Sequence, residues 1–211
     1  PADATVMLSR ITYSDVDYLG GRGYSEVLLG ANCTIESTGG PITAPYMLVL
    51  WVSDFLPAIS GREFMGHAKL MAEIPEVVEN GSSMDFSCSE YGTPLLWGTA
   101  SNLRPVTGES LERVQKATRK TVALGWKYIQ GAEGEADVSY PTANVMRWDY
   151  DSVWTGDSSL QFDTPSFEQA PASRQAMAAL ARLPVARMGR AFVGRGKAVI
   201  DRTGTRRLVS A

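Results

Sequence analysis

The chain has 211 residues, of which 44% are hydrophobic, 20% charged and 9% aromatic, a mixture that excludes disorder, collagen and coiled coil. Its formal net charge of -3 supplies no electrostatic footprint for a polyanion, so nucleic acid is excluded as an expected partner. Two cysteines and one histidine exclude a disulfide framework and a His-rich metal site, and no metal is expected.

At this size one core can bury about 70% of the unfolded surface, so a single domain over residues 1–211 is expected. The longest apolar run, Tyr46 to Val52, is too short for a membrane-spanning helix, and the start of the sequence carries no signal-like apolar stretch. A soluble, cytoplasmic protein without a membrane partner is therefore expected. The sequence opens at Pro1 without Met, directly ahead of a strand-like run, and further residues upstream are expected.

The first half reads as strands. Thr5 to Tyr13 alternates, with Val6, Leu8 and Arg10 on one face and Met7, Ser9, Ile11 and Tyr13 on the other. Tyr24–Leu29, Ala31–Ser37 and Tyr46–Val52 repeat the pattern, divided by Gly30 and by the turn at residues 38–41, which outlines an antiparallel meander. Gly61–Ala72 fits neither period and is expected as loop or short helix. Strands follow at Ser83–Ser89 and Leu95–Ser101. Helical spacing of Leu111, Val114, Thr118 and Val122 predicts a helix over Glu109–Leu124. Strands return at Trp126–Gln130, Val138–Tyr140, Val145–Tyr150 and Ser159–Phe162. A second helix is predicted over Ser173–Arg182, broken at Pro184, with a basic strand over Ala186–Ile200. Many strands with two helices suggest a mostly β (α+β) fold, an antiparallel barrel or cone with peripheral helices.

Lysine is scarce: five against 15 arginines, and Lys69 is the first of the five. Its flanks, Phe64 to Ala72, carry no other charge. In apolar surroundings an amine tends toward its neutral form, which attacks carbonyls to give a Schiff base whose iminium accepts electrons from a neighbouring carbon. A stem lying along apolar surface with its ammonium in water is the other reading of the same residues.

The run Leu56-Pro57-Ala58-Ile59-Ser60-Gly61-Arg62-Glu63-Phe64-Met65-Gly66-His67-Ala68-Lys69 resembles the acetoacetate decarboxylase family, whose motif reads Glu-Pro-Ala-Ile, a spacer, Gly-Arg-Glu and then Pro-Lys-Lys. Three more stretches agree in order: Gly23-Tyr24-Ser25-Glu26, then Val153-Trp154-Thr155-Gly156 with Leu160-Gln161, and Leu183-Pro184-Val185. The likeness runs from Tyr24 to Arg202, loosely over Gly92–Tyr140. It places Lys69 on the Schiff-base lysine and Glu26 on a glutamate of the active-site cavity. It also implies that no metal or organic cofactor is needed, and that the chain forms a homo-oligomer. Leu70 stands where the family has a second lysine, Ala68 where it has proline, and His67 where tyrosine is frequent. The family's carboxylate-binding arginine belongs to an N-terminal segment, so either residues upstream of Pro1 carry it or recognition differs.

Glu26 steers protons in an enclosed pocket, or is a solvent-facing strand residue. Arg10, pointing inward, grips a substrate carboxylate; at a barrel mouth it stands in water. His67 acts as acid or base near neutral pH, or is a hydrogen-bonded structural residue. Tyr24 joins Arg10 and His67 as a substrate-binding candidate through its motif. Arg62 and Glu63 read as a structural pair that fixes the turn. The expected activity is Schiff-base chemistry on a small oxo acid, with β-keto acid decarboxylation first. Pyruvate aldolase-dehydratase or hydratase chemistry through the same lysine is the alternative, and a barrel that binds a small ligand without turnover is the third.

Overall fold

The computed structural model describes residues 5–208; the remaining positions, Pro1 and the question of what precedes it included, lie outside the described residues. The structure is mostly β, with ten strands and three α-helices among the described residues. The chain forms two compact units, one from residues up to Leu70, Lys120–Arg147 and from Ala198 on, the other from Met71–Arg119 and Trp148–Lys197.

In the first unit, β1 (Val6–Val16), β2 (Arg22–Ile35) and β3 (Ile42–Val52) form the expected antiparallel meander. Gly30 does not divide β2 in two. The strand runs through it, and the β2–β3 register shifts by a bulge at Leu29/Gly30. Residues 25–30 of β2 are buried on both faces, as the apolar run Val27-Leu28-Leu29 requires. β3 pairs in parallel with β8 (Thr121–Gln130) at Tyr46 and Leu124, and β8 pairs antiparallel with the first part of β9 (Ala136–Phe162). Short β4 (Lys69–Met71) lies beside β3.

In the second unit β5 (Val78–Asn80), β6 (Ser83–Glu90), β7 (Thr93–Pro105) and the later part of β9 pair in that order, all antiparallel. Tyr91 and Gly92, both at positive φ (50° and 74°), make the two-residue turn between β6 and β7.

Several predicted boundaries move. Helix α2 spans Gly108–Thr118, and Thr121–Leu124, which fits the same helical spacing, is the start of β8. Pairing of β8 with β9 and β3 outweighs the weak helical preference of a stretch holding Thr121 and Val122. The three short strands expected between 138 and 162 are one continuous β9. The late helix, α3, is Arg174–Leu180, and the last strand, β10, is Ala191–Arg207 rather than Ala186–Ile200. No helix among the described residues is long and apolar enough to cross a membrane.

Candidate active site

Residues 54–71 form a short scaffold that delivers one side chain. Asp54 caps α1 (Phe55–Ser60) by accepting a hydrogen bond from the Leu56 amide at 2.8 Å, and Pro57 sits in the first turn, where its missing N–H does no harm. A π-helical turn, Gly61–Met65, follows and stops at Gly66, whose φ of 72° suits glycine. Amide hydrogen bonds from His67 to Gly61, from Trp126 to Gly66 and from Leu50 to Ala68 then pin the chain as it enters β4. Arg62 donates to the Lys69 carbonyl at 3.4 Å, so it braces the turn through the main chain.

Lys69 Nζ lies 3.1 Å from Glu26 Oε2, and both side chains are only 6% exposed. The charge-free sequence around Lys69 therefore does not make a charge-free site: β2 supplies a carboxylate from 43 positions away. Taking both ions out of water costs several kcal/mol per ion, so the pair is held by close geometry and by further hydrogen bonds. One of these is on the other carboxylate oxygen, where the Tyr13 hydroxyl donates to Oε1 at 3.1 Å. Tyr13 also stacks on Tyr24 with ring centroids 4.8 Å apart, and the Tyr24 ring lies 5.8 Å from the ammonium, a cation–π contact. Burial, followed by the negative charge of Glu26, pushes the Tyr24 phenol above its ordinary value and keeps it protonated.

Strand register explains which candidates meet. Ile11 opposes Glu26 and Tyr13 opposes Tyr24, so these four share one face of the β1–β2 pair. Leu28, Leu50 and Met47, a buried apolar cluster that also packs on Ile11, continue that face beside Glu26. Arg10 opposes Val27 and therefore stands on the opposite face, where it donates to Thr12. The structure does not bring Arg10 together with Lys69 and Glu26. The period-2 alternation of β1 separates Arg10 from Tyr13, and it is Tyr13 that takes the place beside the carboxylate.

His67 is 5% exposed, and burial, with the Lys69 charge second, lowers its pKa to about 3. The ring is neutral at physiological pH, which favours the hydrogen-bonded structural residue of the two readings over an acid or base titrating near neutral pH. Its Nε2 accepts from Asn144 Nδ2 at 3.2 Å, and the same amide donates to the Met65 carbonyl at 2.9 Å. The Thr142 hydroxyl donates to that carbonyl at 2.5 Å. Asn144 is fully buried, and its Oδ1 has no hydrogen-bond partner among the described residues.

Gly61 matters by its lack of a side chain. A Cβ there would stand 2.5 Å from Lys69 Cε and 2.6 Å from Cδ, so the lysine stem occupies the space a methyl group would fill. Sequence reasoning passed over Tyr13, Thr142, Asn144 and this role of Gly61. The usable signal was the polar alternation Tyr140-Thr142-Asn144 in a strand and the parity of Tyr13 with Ile11. No group of three or more His, Cys, Asp or Glu side chains converges as a metal site among the described residues. An ammonium, a carboxylate able to take its proton and a phenol orienting that carboxylate make a site suited to carbonyl chemistry through an amine.

A family model described as acetoacetate decarboxylase matches residues 1–204. Among solved structures, an acetoacetate decarboxylase from Legionella pneumophila subsp. pneumophila str. Philadelphia 1 matches at 18% identity with a TM-score of 0.65. That match takes in 82% of this chain, which spans 64% of the Legionella protein's length. The enduracididine biosynthesis enzyme MppR, complexed with pyruvate, matches at 16% identity and a TM-score of 0.67 over 97% of this chain and 77% of its own. An acetoacetate decarboxylase-like enzyme from Sphingomonas wittichii RW1 gives 16% and 0.58, over 92% and 72% of the two chains. At these identities the likeness is one of fold. No curated protein matches the chain.

Proposed function

Because the chain belongs to the acetoacetate decarboxylase family, we propose that it is a Schiff-base lyase for small oxo acids, with Lys69 as nucleophile and β-keto acid decarboxylation as the reaction. The observation that carries this reading is the buried ion pair of Lys69 and Glu26 at 3.1 Å. An ammonium must lose a proton before it attacks, and Glu26 is in hydrogen-bond reach to take it.

The neutral amine adds to the ketone carbon, and the carbonyl electron pair moves to oxygen. A proton passes from the added nitrogen to that oxygen, Glu26 returns its own proton to the resulting hydroxyl, water leaves, and the iminium forms beside a carboxylate again. The bond to the carboxyl carbon then breaks; carbon dioxide departs and the electron pair neutralises the iminium as an enamine. A proton drawn from solution through Glu26 is added to the enamine carbon, and water hydrolyses the new iminium to ketone and free lysine. The iminium is the electron sink, so the route asks for no other.

Borohydride reduction in the presence of acetoacetate, followed by peptide mass mapping, tests the proposal. The expected adduct is on the peptide carrying Lys69, reduction stops carbon dioxide release, and Lys69→Arg forms no adduct and releases no carbon dioxide. An adduct on another lysine, or none with any oxo acid, overturns it. A second reading is favoured by the pyruvate complex of MppR, which matches nearly the whole chain. Here the Lys69 enamine of pyruvate adds to an aldehyde and water is then lost. Condensation that needs Lys69, without carbon dioxide release from β-keto acids, selects it. Homo-oligomeric assembly, which the family resemblance implies, is tested by light scattering of the eluted protein.

A further inference from the structure

The β8–β9 face that presents Asn144 to His67 continues away from it through Thr142 to Tyr140, which opposes Lys127. Four residues at about 3.3 Å each put Tyr140 about 13 Å along the strand from Asn144. There the fold holds a cavity of about 270 Å³, walled by the π-helical turn, β8, β9 and the end of β10. Its lining includes four cations, Lys127, Arg202, Arg206 and Arg207, against one carboxylate, Glu63. Such a cluster runs against the sign of a chain whose net charge is -3.

None of the four cations has an ion-pair partner among the described residues, where the pairs are Lys69–Glu26, Arg147–Asp201 and Arg195–Glu79. Two of the guanidinium groups are set by aromatic rings. Arg202 lies 5.7 Å from the Phe64 ring and Arg207 lies 4.5 Å from the Tyr140 ring. A guanidinium held beside a ring still carries a planar fork of N–H donors suited to paired hydrogen bonds to an oxyanion. The walls are also tied to one another. The Leu208 amide donates to the Pro141 carbonyl at 2.9 Å, and the Trp126 amide donates to Gly66 at 2.9 Å. Like charges held around one cavity repel each other, and a ligand carrying the opposite charge removes that repulsion.

We propose that this cavity is a binding site for a small anion bearing at least two negatively charged oxygen groups, a phosphate ester or a polycarboxylate, held by Arg202, Arg207 and Lys127. The volume lies just below the usual range of about 300–1,000 Å³ for ligand pockets, which fits a compact ligand. The acidic chain as a whole disfavours a polymeric polyanion. The site is separate from the oxo acid chemistry at Lys69 and does not depend on it.

Calorimetric titration of the whole protein at low salt, with pyrophosphate in one arm and citrate in the other, tests the site. One ligand per chain is expected in at least one arm, with affinity falling at least tenfold in 0.5 M sodium chloride. The double variant Arg202→Gln/Arg207→Gln and the single variant Lys127→Gln are each expected to weaken binding, the former at least tenfold, with circular dichroism unchanged. Binding is expected to persist in the double variant Glu26→Leu/Lys69→Met, which removes both buried charges together. Tighter pyrophosphate assigns the phosphate class, and tighter citrate the carboxylate class. No binding in either arm, binding untouched by both sets of substitutions, or binding lost in Glu26→Leu/Lys69→Met with circular dichroism unchanged overturns the proposal.

Discussion

Tyr13 donates its hydroxyl to Glu26 Oε1 at 3.1 Å while Lys69 holds Oε2 at the same distance, so the carboxylate is fixed at both oxygens. A carboxylate tethered at both ends cannot rotate away from the amine. Removing the Tyr13 hydroxyl as Tyr13→Phe gives up a hydrogen bond to a charged group, worth about 1.5–3 kcal/mol. If Tyr13 acts by orienting Glu26, kcat falls about 10–100-fold and KM stays within about threefold. A raised KM with unchanged kcat would instead make Tyr13 a substrate contact.

The buried pair predicts a stability pattern that activity alone would hide. Glu26→Leu or Lys69→Met strands a charge in a site where each partner is 6% exposed, and each is expected to cost about 3–5 kcal/mol. The double variant removes both charges and should recover most of that loss while remaining inactive. Urea unfolding of the four proteins measures it; a double variant as unstable as the sum of the singles would argue that the pair is not a coupled unit.

His67 makes the fold sensitive to acid in a defined window. Its pKa is about 3 in the folded chain against 6.5 in the unfolded one, so the unfolded state binds the extra proton between those values. Stability is expected to be complete above pH 6.5 and to fall as the pH drops toward 3, with a slope approaching about 1.4 kcal/mol per pH unit from this residue. In His67→Gln, compared by urea unfolding at pH 4.5 and 7, the difference between the two pH values should shrink.

Arg10 stands on the face of β1 away from Glu26, opposite Val27. Arg10→Ala should therefore leave KM for a carboxylate substrate within about threefold of the parent. A rise of tenfold or more would place the guanidinium at the substrate after all.

The motif residues and the charge-free flanks made Lys69 legible as a candidate, and Glu26 came with its own motif. Their pairing was not legible, because it spans 43 positions and depends on which residue of β2 faces β4. Alternation along β1 gave two faces correctly, with Arg10 on one and Tyr13 on the other. It does not say which face turns toward the site, and cross-strand register, a tertiary property, decides that. The same limit explains Thr121–Leu124, whose spacing suits a helix until β3 and β9 are there to pair with it. His67 was readable as either structural or titrating. Its depth and its bond to Asn144, 77 residues away, fit the former.

Gly61 lies against the aliphatic stem of Lys69, with no room between them for a methyl group. A lysine side chain in water wanders among many rotamers, and fixing one costs about 2 kcal/mol of conformational entropy. Contact with the bare backbone at 61 makes that loss occur once, when the chain folds. The nitrogen waits already aimed, and part of the ordering that a reaction in solution must achieve each time is built into the resting protein.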